Sequence, residues 1–95
     1  MLHIDVWDFA INDGLLDHMH ANGVSLKVAY EVLDGDPRAL PNHVENGAQL
    51  LLVGPTSIGM ITIPIDPTDE YGLWRPRTAY PSKPADVERY EKKGS

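Results

Sequence analysis

The chain has 95 residues, 42% of them apolar and 23% charged, with a formal charge of −6 and a pI near 4.9. That composition fits one small folded domain, excludes a disordered chain, and repels nucleic acid at long range, so any RNA contact has to come from a local basic patch. No cysteine is present, which excludes disulfides, thiolate nucleophiles and cysteine zinc sites and makes a cytoplasmic location the expectation.

Residues 2–6 alternate, with Leu2, Ile4 and Val6 on one face and His3 and Asp5 on the other, a short strand pattern that Trp7 ends. No basic stretch leads into an apolar run here, so no signal peptide is expected. Asn12 or Asp13 can cap a helix whose Leu15, Leu16, Met19 and His20 repeat at helical spacing until Asn22-Gly23 stops it. Ser25 can cap a second helix with Val28, Ala29, Val32 and Leu33 on its apolar face, ended by Gly35, Asp36 and Pro37. The short connection makes the pair a helical hairpin.

Arg38 to Val44 reads as an edge strand, because Pro41 is tolerated at an edge and not inside a sheet. Glu45-Asn46-Gly47 is a hairpin turn signal. The densest apolar stretch follows, from Gln49 to Ala79, and reads as three short strands separated by turns at Gly54-Pro55 and Asp66-Pro67. Met60 to Ile65 is apolar at nearly every position, which predicts a central strand covered on both faces. Pro81, Ser82 and Pro84 then break the chain, and Ser82 can cap a last helix with Val87 and Tyr90 on its inner face and Glu88, Arg89, Glu91, Lys92 and Lys93 solvated. The order predicts an α+β fold: an antiparallel sheet of three to four strands with an N-terminal strand, a helical hairpin and a C-terminal helix, and with the helices on one face. Residues 1–93 form a single domain, and Gly94-Ser95 reads as an appended tail. No run is long enough to cross a membrane.

Several landmarks in order resemble the BrnT family, ribonuclease toxins of bacterial toxin–antitoxin pairs with a RelE-like fold. They are Val6-Trp7-Asp8, Asn22-Gly23-Val24-Ser25, Val32-Leu33 followed by Asp36-Pro37, Leu51-Leu52-Val53-Gly54, Trp74-Arg75 with Thr78-Ala79, and Glu88-Arg89-Tyr90. Two positions depart from the family pattern. Ala21-Asn22 stands where the family has a basic residue before the glycine-valine turn, and Tyr80 stands where it has an arginine. The resemblance implies a metal-independent endoribonuclease that uses the RNA 2′-hydroxyl as nucleophile, needs no cofactor, and is neutralised by an antitoxin protein.

Such chemistry needs a base near the 2′-oxygen, a cation for the phosphorane charge and an acid for the leaving oxygen. Arg75 and Arg77, two apart on a strand, share a face and form the phosphate candidate. The competing reading pairs them with Asp69, Glu70 or Asp86 on a solvated surface, with Pro76 marking an exposed edge. Tyr80 is an acid or stacking candidate, or else a half-buried core residue. Glu70, in the preceding turn, is a further catalytic candidate or else a solvated turn residue, and His43, on the edge strand, is a base candidate near neutral pH or else an inert loop histidine. His18 and His20, two apart on a helix, point to nearly opposite sides, so no metal site is expected. The Gly54–Gly59 loop lacks a lysine and reads as a hairpin, not a phosphate cradle. The alternative function is a non-catalytic regulator on the same scaffold, for example a phage-encoded one, whose acidic surface and exposed aromatic residues bind a cellular protein.

Overall fold

A computed structural model describes residues 4–44 and 47–93. The elements are β1 (Asp8–Phe9), α1 (Asp13–Ala21), α2 (Leu26–Asp34), β2 (Arg38–Pro41), β3 (Leu50–Thr56), β4 (Gly59–Pro67), β5 (Leu73–Pro76), β6 (Tyr80–Pro81) and α3 (Pro84–Lys93). They form an α+β fold around one six-stranded sheet, ordered β1-β5-β4-β3-β2, with β6 also pairing β4. The sheet is mixed, because β1 runs parallel to β5. The expected three- to four-stranded antiparallel sheet is thus its β2–β5 portion alone. Leu2, His3, the Glu45-Asn46 part of the turn and Gly94-Ser95 lie outside the described residues. Ile4 and Val6 form no strand; they pack against the core, and the first strand comes later, at Asp8.

The helical hairpin forms where its caps put it. The Asn12 side chain accepts from the Leu15 amide and the Ser25 side chain from the Val28 amide, each satisfying a helix-start donor. Gly23 turns between the helices at φ 80°. Leu15, Met19, Val24, Val28, Ala29 and Val32 join Leu50, Leu52, Ile61, Ile63 and Ile65 in the main core. Gly54 lets α2 come close, since a Cβ there would stand 3.2 Å from Val32 Cγ1. The opposite sheet face buries Leu40, Leu51 and Val53 with Met60 and Tyr90, so α3 covers it. Helices therefore lie on both faces, not one. The sequence pattern of α3 hides this, because its buried residue is polar: Asp86, 7% exposed. Thr62 donates to Asp86 Oδ2 at 3.1 Å and meets the Ser82 hydroxyl at 2.8 Å. Ser82 thus ties the sheet to α3 and does not cap the helix; its amide continues the ladder to the Met60 carbonyl.

β4 is central, as its apolar run predicts, yet it holds Pro64. The Arg77 amide donates to the Pro64 carbonyl at 2.9 Å. The return bond of that pair cannot form, because proline has no N–H. The strand beside β4 breaks there. Ile65 faces Pro76 and Thr62 faces Tyr80, so three steps along β4 match four along its partner. The extra residue is a β-bulge between β5 and β6. Asn22 Nδ2 supports it from the helical hairpin, donating to Thr78 Oγ1 at 3.0 Å and to the Ala79 carbonyl at 3.1 Å.

Gly72 and Gly23 offer a test of local packing. Both have positive φ, 82° and 80°, but a Cβ on Gly72 would meet the Trp7 ring at 2.4 Å, whereas none meets an atom within 4 Å at Gly23. Gly23→Ala is expected to cost about 1–2 kcal/mol from backbone conformation alone. Gly72→Ala is expected to cost more and to shift tryptophan fluorescence. Urea unfolding of the two variants checks this; equal losses would contradict the packing of Trp7 on Gly72.

Candidate functional site

The bulge decides which side chains share a face. Without it, Arg77 and Tyr80, three apart, would point to opposite sides of the sheet. With it, both stand on the α3 side, beside Pro64 and Thr62. A groove of about 360 Å³ opens there. Its floor includes Leu51 and Pro64, one wall is the chain after β2 with Asn42, His43 and Val44, and the other is Arg77, Thr78, Tyr80, Lys83, Asp86 and Arg89. Asn42 shapes the first wall: its side chain donates to the Ala48 carbonyl at 2.8 Å and accepts from the Val44 amide at 3.1 Å.

Three cations line the groove, against one carboxylate. Arg77 Nε binds Asp66 Oδ2 at 2.6 Å. An exposed pair of this kind contributes about 0–1 kcal/mol, so it orients the guanidinium more than it stabilises the fold. Arg89 Nη2 donates to the Pro41 carbonyl at 2.6 Å, drawing the side chain inward from the solvated face assigned to it. Lys83 Nζ lies 5.6 Å from the Tyr80 ring centroid, an attractive contact with the ring face. Burial, and then the Asp86 charge, raise the Tyr80 phenol above its ordinary value, so it remains a neutral hydrogen-bond donor.

Of the candidates read from sequence, His43, Arg77 and Tyr80 meet in this groove. Arg75 shares the strand face, opposite Asp66, but is exposed and does not line the groove. Glu70 lies elsewhere, in a small cavity at the β4–β5 turn. β5 is not a free edge in its first half, since β1 pairs Leu73 and Trp74, and Pro76 is buried. Lys83, Asp86 and Arg89 were missed as a group. Their spacing of three was the available signal, since it places them along one side of the last helix and the residue before it. Among the described residues no cluster of three His, Asp or Glu could hold a metal ion, and no helix is long and apolar enough to cross a membrane.

Alkaline titration tests the burial of Tyr80. Tyr30 and Tyr90 are raised chiefly by burial, and Tyr71 chiefly by its hydrogen bond to Asp5. The folded chain holds these protons more tightly than the unfolded chain. Their stabilisation is therefore complete below about pH 10 and is lost as pH rises through the folded values. Tyr80→Phe is expected to remove part of that alkaline loss in urea melts compared across this range. An unchanged alkaline slope would contradict the buried, Asp86-facing phenol.

Comparison of the chain with protein-family models, with curated proteins and with solved structures finds no match, so the groove is interpreted through its own chemistry.

Proposed function

We propose that the chain is a BrnT-like toxin that cleaves RNA without a metal in the groove between β2, the bulge and α3. One observation carries this reading. His43, Arg77, Tyr80, Lys83 and Arg89 line a single groove in a chain whose net charge is −6. Cations gathered against the overall charge mark a place for an anion, and arginine forks match phosphate oxygens. The order of the BrnT-like landmarks supports the same reading.

In this scheme His43 takes the proton of the 2′-hydroxyl as that oxygen attacks phosphorus. Arg77, Lys83 and Arg89 face the charge that grows on the phosphorane oxygens. The bond to the 5′-oxygen breaks, the imidazolium returns the proton to it, and Tyr80 donates a hydrogen bond there. The products are a 2′,3′-cyclic phosphate and a 5′-hydroxyl. The exposed Trp7–Tyr71 pair independently favours protein binding, to an antitoxin or another cellular protein.

The test is incubation of purified protein with mixed-sequence RNA in EDTA, with analysis of the ends. Wild type is expected to leave cyclic phosphate ends. His43→Ala should lower the rate by about 10²–10⁴-fold, and Arg77→Ala or Arg89→Ala by about 10²–10³-fold. Arg75→Ala should cost less than Arg77→Ala, because Arg75 stands outside the groove. Intact RNA with folded wild type would sink the ribonuclease reading.

A further inference from the structure

Asp86 is the one carboxylate among the described residues that line the groove, and it is only 7% exposed. A carboxylate buried this deeply is costly unless hydrogen bonds or a cation compensate it. Ionised, it has room for about four hydrogen bonds. The Thr62 hydroxyl, itself fully buried, donates its only proton to Asp86 Oδ2 at 3.1 Å, so the Ser82 hydroxyl donates to Thr62 in turn. The groove cations are held elsewhere: Arg77 Nε on Asp66, Arg89 on the Pro41 carbonyl and Lys83 over the Tyr80 ring. Among the described residues nothing donates to Asp86 Oδ1. No fully enclosed side-chain oxygen there lacks a partner, so Oδ1 keeps its contact with the groove.

A phosphate would meet this oxygen as a like charge. The group that seats on it therefore presents hydrogen-bond donors. The surroundings add an apolar preference, with Leu51 in the floor, Tyr80 on one wall and Val44, 69% exposed, on the other. A nucleobase has that form, apolar on its faces and polar along its edge. Guanine is the base whose Watson–Crick edge carries two adjacent donors, N1–H and the N2 amino group. Adenine and cytosine each set a ring-nitrogen acceptor beside their amino group, and uracil flanks its single donor with two carbonyls. A carboxylate repels those acceptors, so it selects guanine both by attraction and by rejection of the others.

We infer that Asp86 reads the Watson–Crick edge of an unpaired guanine in RNA bound by the groove. The inference rests on the reading of the groove as an RNA site and deepens it with a base preference; it does not depend on which residue moves the proton. That edge is free only where the base is unpaired, so the substrate class is single-stranded RNA with a guanine close to the phosphate that the cations hold.

Calorimetric binding of 5′-mononucleotides tests the base preference without any cleavage step. Guanosine monophosphate is expected to bind wild type about 5- to 150-fold more tightly than the adenosine, cytidine or uridine compound. Inosine monophosphate, which lacks the N2 amino group, should fall between. Asp86→Asn keeps an acceptor for Thr62 and puts a donor in place of Oδ1, so it should abolish the preference. If that variant fails to fold, the inosine comparison in wild type decides. A trinucleotide with a central guanosine should bind more tightly than guanosine monophosphate, because its further phosphates reach more of the groove; no gain would mark a free-nucleotide site and overturn the assignment to RNA. Equal binding of the four nucleotides, inosine matching guanosine, or a guanine preference that survives in folded Asp86→Asn would also overturn it. Mapping of cleaved RNA ends separates this inference from the ribonuclease reading. Cleavage without guanine bias sinks the inference and leaves that reading standing, whereas guanine-selective binding with intact RNA does the reverse.

Discussion

Pro64 constrains everything on the α3 side of the sheet. A central strand exchanges hydrogen bonds with neighbours on both sides, and proline withholds one donor. The missing bond is the one that residue 64 would give back to Arg77. A satisfied backbone hydrogen bond is worth about 0.5–1.5 kcal/mol, while a buried unsatisfied group costs about 1–3 kcal/mol. Breaking the partner strand is therefore acceptable only if its freed groups find other donors. Asn22 supplies them to Thr78 and Ala79 from across the domain. The helical hairpin and the bulge are thereby one unit.

The two sheet faces do different work. One is filled by aliphatic side chains under α1 and α2, close-packed enough for Gly54 to be needed. The other carries a smaller apolar cluster, and α3 is held there partly by polar contacts. Arg38 stacks 4.1 Å from the Tyr90 ring centroid and donates to the Tyr90 carbonyl. The Thr62–Ser82–Asp86 contacts fix its other end. Incomplete cover on this face is what leaves room for a groove.

Charge is segregated over the molecule. The domain measures 36 × 30 × 27 Å. At physiological salt, fields between exposed charges decay within about 8 Å. The groove gathers three cations against one carboxylate in a chain of net charge −6, so its local potential differs from that of the whole chain.

Helices and strands with strong local signals were legible in the sequence. Asn12 and Ser25 are caps because their short side chains reach free amides, and Leu50–Val53 and Met60–Ile65 are strands because their apolar density demands a sheet. His43, Arg77 and Tyr80 were legible as candidates by residue type. Their meeting was not, since Arg77 and Tyr80 share a face only through a one-residue bulge, and the bulge depends on how Pro64 is paired. Arg89 looked solvated and Asp86 did not read as the buried residue of the last helix, because hydropathy does not register a buried carboxylate bonded to Thr62. Glu70 looked catalytic by type alone, and the turn carries it away from the groove. The sequence by itself determined what is decided within a few residues: caps, strand periods and the α+β class. Only the tertiary structure decided register, the parallel pairing of β1 and the two-sided placement of helices, because each depends on hydrogen bonds between residues far apart in the chain.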